Sequence, residues 1–465
     1  MPSKLAIVRF IPAPPIRKIA EATPASRDRV IDGLRAFSLS VVVFGHCFMA
    51  LVLWRNGVPH LGNSLALHRP LQVLTWVLQV MPLFFFAGGA SNAITWSAKR
   101  SGGYPAWLWS RAARLLRPLW VYFAIMAPLS MVVALLAPTK VSAPLLLLTT
   151  QLLWFLGAYL IVTALGPLLQ RSYGARPLAT FAVLGLGAIS VDICRFVVDL
   201  PAALGIINFV LVWSLAALFG ISYVERPPTP KVALGAAALA VAINVVLVDF
   251  ANYPLSMVGM PGDKFSNMAP PTVVLGLHAV AICLVAIALK EPLQRLFARQ
   301  RPWAFAVAIN TVAMTLYLWH LPMLILLMVL EHATGLGVSV AASHGIIATG
   351  SHFWFFWPIH FAVFVAFVWL IVRVLWVLEN TALPLWDSPS RFRSVGSNVA
   401  SVMIGIGVFL CGAALLMFSA TGLGGFPTRV VHFAGLPLTS GLALLLLFCG
   451  ASLIRIAGAP RQLAA

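Results

Sequence analysis

The chain has 465 residues, 61% of them hydrophobic and only 9% charged, with a mean hydropathy of +0.96. So few charges cannot cover a water-soluble protein of this length, and apolar runs of about 18 or more residues recur along it, which reads as an all-α, polytopic transmembrane protein. The runs do not alternate as β-barrel strands do, and the net charge of +19 sits between them, which argues for membrane topology and against nucleic acid as a partner.

Residues 1–30 are basic and Pro-bearing. They lack a continuous apolar stretch followed by a small-residue cleavage site, so they read as a cytoplasmic tail and not as a signal peptide. Twelve spans are expected, at 33–53, 72–95, 117–137, 148–169, 177–194, 204–224, 231–249, 272–289, 304–330, 353–377, 397–419 and 434–456. With the N-terminus inside, 25 of the 31 lysines and arginines fall on the cytoplasmic side and six on the other (Arg55, Arg69, Lys140, Arg195, Lys264 and Arg429). That asymmetry predicts an even span count and two cytoplasmic termini. The polar segment 379–396 reads as a cytoplasmic linker. It separates a ten-span domain, 31–378, from a two-span extension, 397–465, whose spans carry almost no polar groups beyond Ser and Thr. The five cysteines lie in or at the ends of apolar runs, and neither C-x-x-C nor H-E-x-x-H occurs. They read as small buried hydrophobes, and no metal is expected.

The first span opens with "RVIDGLRAFSLSVVVFGHCF" (29–48) and holds two ionisable residues of interest, Arg35 and His46. Eleven residues make ~1100°, three turns plus ~20°, so both side chains share one stripe ~16 Å apart along the axis. Arg35 belongs near the headgroups and His46 past the midplane, where ionisable residues are costly and usually functional. The plainer alternative is a satisfied core histidine and a snorkelling arginine. Asp32, three residues before Arg35, is expected to pair with it. In the second span, Pro82 and Gly88-Gly89 of "MPLFFFAGGASNA" (81–93) either break the helix beside a cavity or let another helix approach closely. Before the third span, "RAARLLRP" (111–118) presents Arg111, Arg114 and Arg117, which give two overlapping R-x-x-R pairs. Either pair shares a helix face and makes a clamp suited to phosphates, or else is ordinary positive-inside charge.

Polar residues also gather toward the outer side. Asp192 and Arg195 end the fifth span, Asn208 begins the sixth, and the loop 250–271, with Asp249 at its edge, carries Asp263 and Asn267. Tyr317 and His320 lie in the deeper half of the ninth span, which also holds Asn310, and His360 lies in the tenth. Together they are candidates to line an outward cavity for a polyhydroxyl acceptor. Aromatic-belt residues and a local Asp192–Arg195 pair are the simpler account. His60, His68, His278, His332, His344, His352 and His432 read as loop, interface or packing residues.

The pattern Asp32-Gly33-Leu34-Arg35 followed by ten residues and His46 resembles the opening of the membrane acyltransferase family 3. Four further segments resemble that family in the same order: "MPLFFFAGGASNA", "RAARLLRP", "LLWFLGAYLIVTALGPLL" (152–169) and "NTVAMTLYLWH" (310–320). The likeness covers about residues 29–377, and "MVGMPGDKFSNMAPPT" (257–272) resembles the actinobacterial branch. It implies a multi-pass enzyme of the bacterial cytoplasmic membrane. Such an enzyme moves an acyl group, usually acetyl, from cytoplasmic acyl-CoA to a hydroxyl of an envelope glycan, glycolipid or similar acceptor. Arg35, Arg111, Arg114 and Arg117 are then the candidates for the CoA phosphates. Pro118 follows Arg117 directly, where family members leave a few residues, which favours Arg111 and Arg114 as the pair. The resemblance makes His46 essential, either as the base that deprotonates the acceptor or as the nucleophile that carries the acyl group. Burial favours the neutral ring that either role needs. A transporter or lipid flippase would also put polar groups at the midplane, but it favours internal repeats, and the Arg35 … His46 pattern occurs once. A non-catalytic partner of an envelope-assembly machine would tolerate replacement of both residues.

Overall fold

The chain begins, in the computed structural model, with a short helix, α1 (Ile16–Glu21), and the first long helix, α2 (Arg29–Met49). Asp28 starts α2 by accepting hydrogen bonds from the backbone N–H groups of Val30 and Ile31 at 2.9 and 3.3 Å. These donors have no partner inside the helix, which is why an aspartate stands there. At Ala50 the backbone becomes extended and forms an antiparallel hairpin, β1 (Ala50–Arg55) with β2 (Val58–Asn63). Its two-residue turn is Asn56-Gly57, both at positive φ, as such a turn requires. There follow α3 (Thr75–Leu78), α4 (Met81–Ala98), α5 (Gly103–Leu136), α6 (Thr139–Thr150), α7 (Leu153–Ala175), α8 (Pro177–Phe196), α9 (Ile206–Glu225) and α10 (Pro230–Phe250). Next come α11 (Val273–Ala288), α12 (Lys290–Ala298), α13 (Gln300–Thr311), α14 (Ala313–Thr334), α15 (Val338–Ser343), α16 (Ser351–Asn380) and α17 (Ser397–Thr421). A second hairpin, β3 (Val430–Phe433) with β4 (Leu436–Thr439), precedes α18 (Ser440–Gly458).

The described residues are 16–24, 26–66, 69–98, 103–260, 265–343, 351–388, 396–433 and 436–458. Half of the expected tail (1–15), Asp263, His68, His344, the linker residues 389–395 and the last seven residues lie outside them. Among the described residues, eleven helices are long and apolar enough to cross a membrane. The count becomes twelve when α11 and α12, bent by 61° about Leu289, form one span. The all-α, multi-pass architecture with about twelve spans is therefore the observed one.

The twelfth expected span starts only at Ser440, because 436–439 form β4, and four others are built differently. The first ends at Met49, because the Asn56-Gly57 turn draws residues 50–53 into β1. The second is interrupted at 79–80, three residues before Pro82, which itself sits in the first turn of α4. The groups freed there are satisfied inside the protein: the Gln79 side chain bonds Met257 O and Met81 N, and His278 Nε2 donates to Gln79 O at 2.9 Å. The fourth divides at 151–152 into α6 and α7, leaving Pro167 within α7. The ninth divides at Val312, so α13 is a separate helix lying on α1 and α2.

Two glycines explain how the bundle closes. A Cβ on Gly33 would stand 2.2 Å from the Phe297 ring, so the glycine of D-G-L-R is the seat that lets α12 reach α2. A Cβ on Gly89 would stand 2.0 Å from the carbonyl of Ala217, and α4 and α9 cross in contact at that point. Close packing, not a cavity, accounts for Gly89. The last two long helices also belong to the bundle. Phe418 of α17 packs on Phe123 of α5 with 4.6 Å between ring centroids, and its carbonyl accepts from Thr150 Oγ1 at 3.0 Å. Within the expected linker, Trp386 donates to Ala113 O and Asp387 pairs with Arg117, so its first half is docked on α5.

Candidate active site

Helix α2 carries the chain's two most telling residues. Arg35 is in its second turn and His46 in its last, with β1 starting four residues beyond His46. They share a stripe ~16 Å long. His46 is thus nearer the end of its helix than a span running to 53 would place it.

At the Arg35 end, Asp32 is buried and its carboxylate lies 2.5 Å from Arg27 Nε but 3.8 Å from Arg35 Nη1. That hydrogen bond holds the Arg27 guanidinium above its ordinary value. The expected Asp32–Arg35 pair is therefore the looser of the two, and Arg35, 29% exposed, keeps most of its donors free. Arg111 stands close enough to Arg35 and Arg114 to feel both charges. It is held rigidly. Its Nε donates to Asn92 Oδ1 at 2.9 Å, its Nη2 to Thr95 Oγ1, and its guanidinium lies 4.6 Å above the Trp107 ring. Asn92 and Thr95 are neutral, so they orient this cation without cancelling it. Arg114 is exposed and donates to the carbonyl of Ser110. Arg117 belongs elsewhere, since its side chain goes to Asp387. Three arginines, Arg35, Arg111 and Arg114, thus form one cationic cluster, and Arg117 stands outside it. Asn310, grouped by sequence with the deeper residues, is also at this end. It donates to Asp32 O and Ala306 O, both at 2.9 Å.

At the other end, His46 meets His320 of α14. The ring planes are 26° apart with centroids 5.4 Å from each other, and the rings meet edge to edge, with His46 Nδ1 3.2 Å from His320 Nε2. His320 Nδ1 is 2.9 Å from Leu316 O, and the residue is fully buried, whereas His46 keeps part of its surface accessible. Tyr317 is buried and donates to Leu152 O, where α7 begins. On the flank of α2, Phe48, Trp357, Pro358 and Phe361 line an open apolar groove of about 420 Å³.

The remaining sequence candidates form separate clusters, in one of which the buried Asn208 Oδ1 and Arg195 Nε have no hydrogen-bond partner among the described residues. Asp192 accepts from Asn208 Nδ2 at 3.1 Å, Tyr253 Oη at 3.1 Å and Val273 N at 2.7 Å, with Arg195 Nη1 at 3.5 Å. It ties α8, α9 and α11 to the loop 251–272. Burial, reinforced by Asp192, pushes the Tyr253 phenol up. Asn267 is fully buried and stitches that loop, donating to Pro254 O and Ser256 O and accepting from Thr272 Oγ1. His360 Nδ1 lies 2.7 Å from Glu331 Oε1. Two buried carboxylates escape a sequence reading: Glu331, and Glu379, which accepts from Thr315 Oγ1 and Trp319 Nε1. Each lies one or two residues past an expected span end, where an acid looks like ordinary interface. The rule that intramembrane acids carry function would have flagged both, had the helices been drawn to Thr334 and Asn380. Among the described residues, no group of three or more His, Cys, Asp or Glu side chains is placed to hold a metal ion.

The sequence profile of the acyltransferase-3 family, described as an acyltransferase domain, matches residues 28–373. The chain belongs to that family. It is a multi-pass membrane acyltransferase. Neither curated proteins nor solved structures supply a match to it. The match begins at Asp28, the cap of α2, and ends on α16, so the acyltransferase domain contains the arginine cluster and both paired histidines.

Proposed function

We infer that this acyltransferase moves an acetyl group from cytoplasmic acetyl-CoA to a hydroxyl of an envelope glycan or glycolipid, in a bacterial cytoplasmic membrane. The observation that carries this reading is a single helix with a free-sided arginine at one end and an accessible histidine ~16 Å along the same stripe. Arg35, Arg111 and Arg114 supply the fixed positive charge that CoA phosphates need, with Arg111 held by Asn92 and Thr95 as a preformed donor. The extended pantetheine arm is of comparable length to the stripe, so a donor anchored at the arginines presents its thioester to His46. The excess of lysine and arginine on the N-terminal side, 25 of 31, supports cytoplasmic termini and, with them, an arginine cluster on the side where acyl-CoA is found.

In the reaction, His46 takes the proton of the acceptor hydroxyl as its oxygen attacks the thioester carbonyl. The C–O bond forms, the C–S bond breaks, and the imidazolium returns the proton to the CoA sulfur. The open groove of Phe48, Trp357 and Phe361 on the flank of α2 offers an apolar resting place for the tail of a glycolipid acceptor. The resemblance of 257–272 to the actinobacterial branch supports an acceptor from an actinobacterial envelope.

The test has two arms. Mass spectrometry of envelope glycolipids from cells with and without the protein should show the loss of an ester of acetyl mass. Purified full-length protein carrying His46→Ala should keep its gel-filtration profile and lose acetyl transfer; retained turnover would overturn the role given to His46.

A further inference from the structure

Three hydrogen-bonded groups run in series behind His46, and their chemistry fixes where its proton sits. Leu316 O can only accept, so the His320 Nδ1 that lies 2.9 Å from it carries a hydrogen. A neutral ring protonated at Nδ1 has its lone pair on Nε2. His46 Nδ1 is 3.2 Å from that Nε2, and two nitrogens at that distance bond only when one of them bears a hydrogen. Among the described residues, no carboxylate pairs with either ring. Two neutral rings are the form that a buried, uncompensated pair takes. His46 Nδ1 therefore donates to His320, and His46 Nε2 holds a lone pair with no partner among the described residues.

The support behind the pair is rigid. The turn of α14 that carries Leu316 and His320 is pinned by three side-chain hydrogen bonds to two neighbouring helices. Thr315 and Trp319 bond the buried Glu379 of α16, and Tyr317 bonds Leu152 O of α7. His320 is fully buried, while His46 is partly accessible. Among the described residues, His46 is therefore the member of the pair that presents surface to a substrate.

We propose that His320 is a positioning residue, and not an acceptor-binding one: through the series Leu316 O, His320, His46 it holds His46 in the tautomer whose Nε2 faces the substrates unprotonated. The proposal rests on the reading of His46 given above. When Nε2 takes the acceptor proton, the Nδ1–H bond to His320 remains in place, so the imidazolium keeps its orientation until the proton passes to the CoA sulfur. A neutral imidazole does here the orienting work that a carboxylate does in hydrolase triads. It fixes the tautomer with less stabilisation of the cation.

The experiment compares His320→Leu, which removes the acceptor, with His320→Gln, whose side-chain oxygen can still accept from His46 Nδ1. Full-length proteins in nanodiscs are assayed with acetyl-CoA and the glycolipid extract of cells lacking the protein. His320→Leu should lower kcat about 100-fold at a nearly unchanged donor KM, and His320→Gln should stay within about tenfold of wild type. In parallel, nitrogen-15 solid-state NMR of histidine-labelled protein, with His46 assigned by its disappearance in His46→Gln, should show His46 protonated at Nδ1 in the wild type and in His320→Gln. In His320→Leu that preference should be lost. Inactive His46→Ala together with fully active His320→Leu would overturn the positioning role alone, whereas active His46→Ala overturns the reading beneath it. Should His320→Leu fail to fold, the NMR arm decides by itself: a wild-type His46 protonated at Nε2 refutes the series.

Discussion

Two histidines on neighbouring helices of this bundle make opposite use of burial. His46 leans on the neutral ring of His320 at 3.2 Å and keeps part of its surface accessible. His360 leans on the Glu331 carboxylate at 2.7 Å, is 3% exposed, and is closed off further where Ser339 N donates to the other carboxylate oxygen. His360 is paired with a carboxylate and sealed, whereas His46 keeps a nitrogen without a protein partner among the described residues on a partly accessible ring. An ionisable residue within a membrane is therefore not functional merely by being there. On the reading proposed above, what marks the functional one is a nitrogen without a protein partner on a partly accessible ring, supported from behind by a group that fixes the proton without neutralising the ring.

Replacing His46 tests this contrast with the largest effect. His46→Ala should lower kcat by roughly 10³- to 10⁴-fold, the upper range for a lost proton-transfer group, with donor binding retained. Thiol release from acetyl-CoA and a binding isotherm for CoA measure the two terms. His360→Ala should do the reverse. It leaves the Glu331 carboxylate buried without its partner, at a cost of about 3–5 kcal/mol, so melting temperature and yield fall while turnover per folded molecule holds. The double replacement Glu331→Leu with His360→Leu should recover most of that stability, because it removes the uncompensated charge as well. A large kcat defect in the stable double variant would erase the distinction between the two histidines.

Next in size is the donor anchor. Arg35 is the cluster member least committed to protein partners, and a charge-assisted bond to phosphate contributes about 1.5–3 kcal/mol. Arg35→Ala should therefore raise the donor KM about 10- to 100-fold and leave kcat nearly unchanged. Dephospho- and full-length CoA used as competing ligands would show which phosphate it meets.

The spans were legible because a bilayer demands long apolar runs, and each of the twelve expected runs falls mostly on one apolar helix or on a broken pair of helices. The pairing of Arg35 with His46 was legible because helical geometry links residues eleven apart on one chain. Three things were hidden for the same physical reason, that each depends on contacts far away in sequence. His320 meets His46 across 274 residues. Nothing in the sequence singles out Glu379, whose bonds come from Thr315 and Trp319, 64 and 60 residues away. The break at Val312, which carries Asn310 to Asp32 and away from His320, follows from α13 docking on α1 and α2 and has no Gly or Pro to announce it. The Asn56-Gly57 hairpin differs: its signal was local and strong, but it stood at the end of an apolar run and was absorbed into it.

The smallest effects decide which arginines form the R-x-x-R pair. Arg111 and Arg114, three residues apart, lie ~60° apart around α5, whereas Arg117 is a further three residues on and ~120° from Arg111. That rotation suffices to send Arg117 to Asp387, on the segment leading to α17, while Arg111 and Arg114 stay with Arg35. Arg114→Ala should raise the donor KM only several-fold, since an exposed charge contributes about 1 kcal/mol or less, and the difference from wild type should shrink as salt is raised. Arg117→Ala should leave the donor KM and its salt dependence alone. It should instead lower the melting temperature slightly, by loosening the segment that packs Trp386 against Ala113. If Arg117→Ala weakened CoA binding in a salt-dependent way and Arg114→Ala did not, the clamp would be Arg114 with Arg117, and the donor would enter on the side of α5 that faces residue 387.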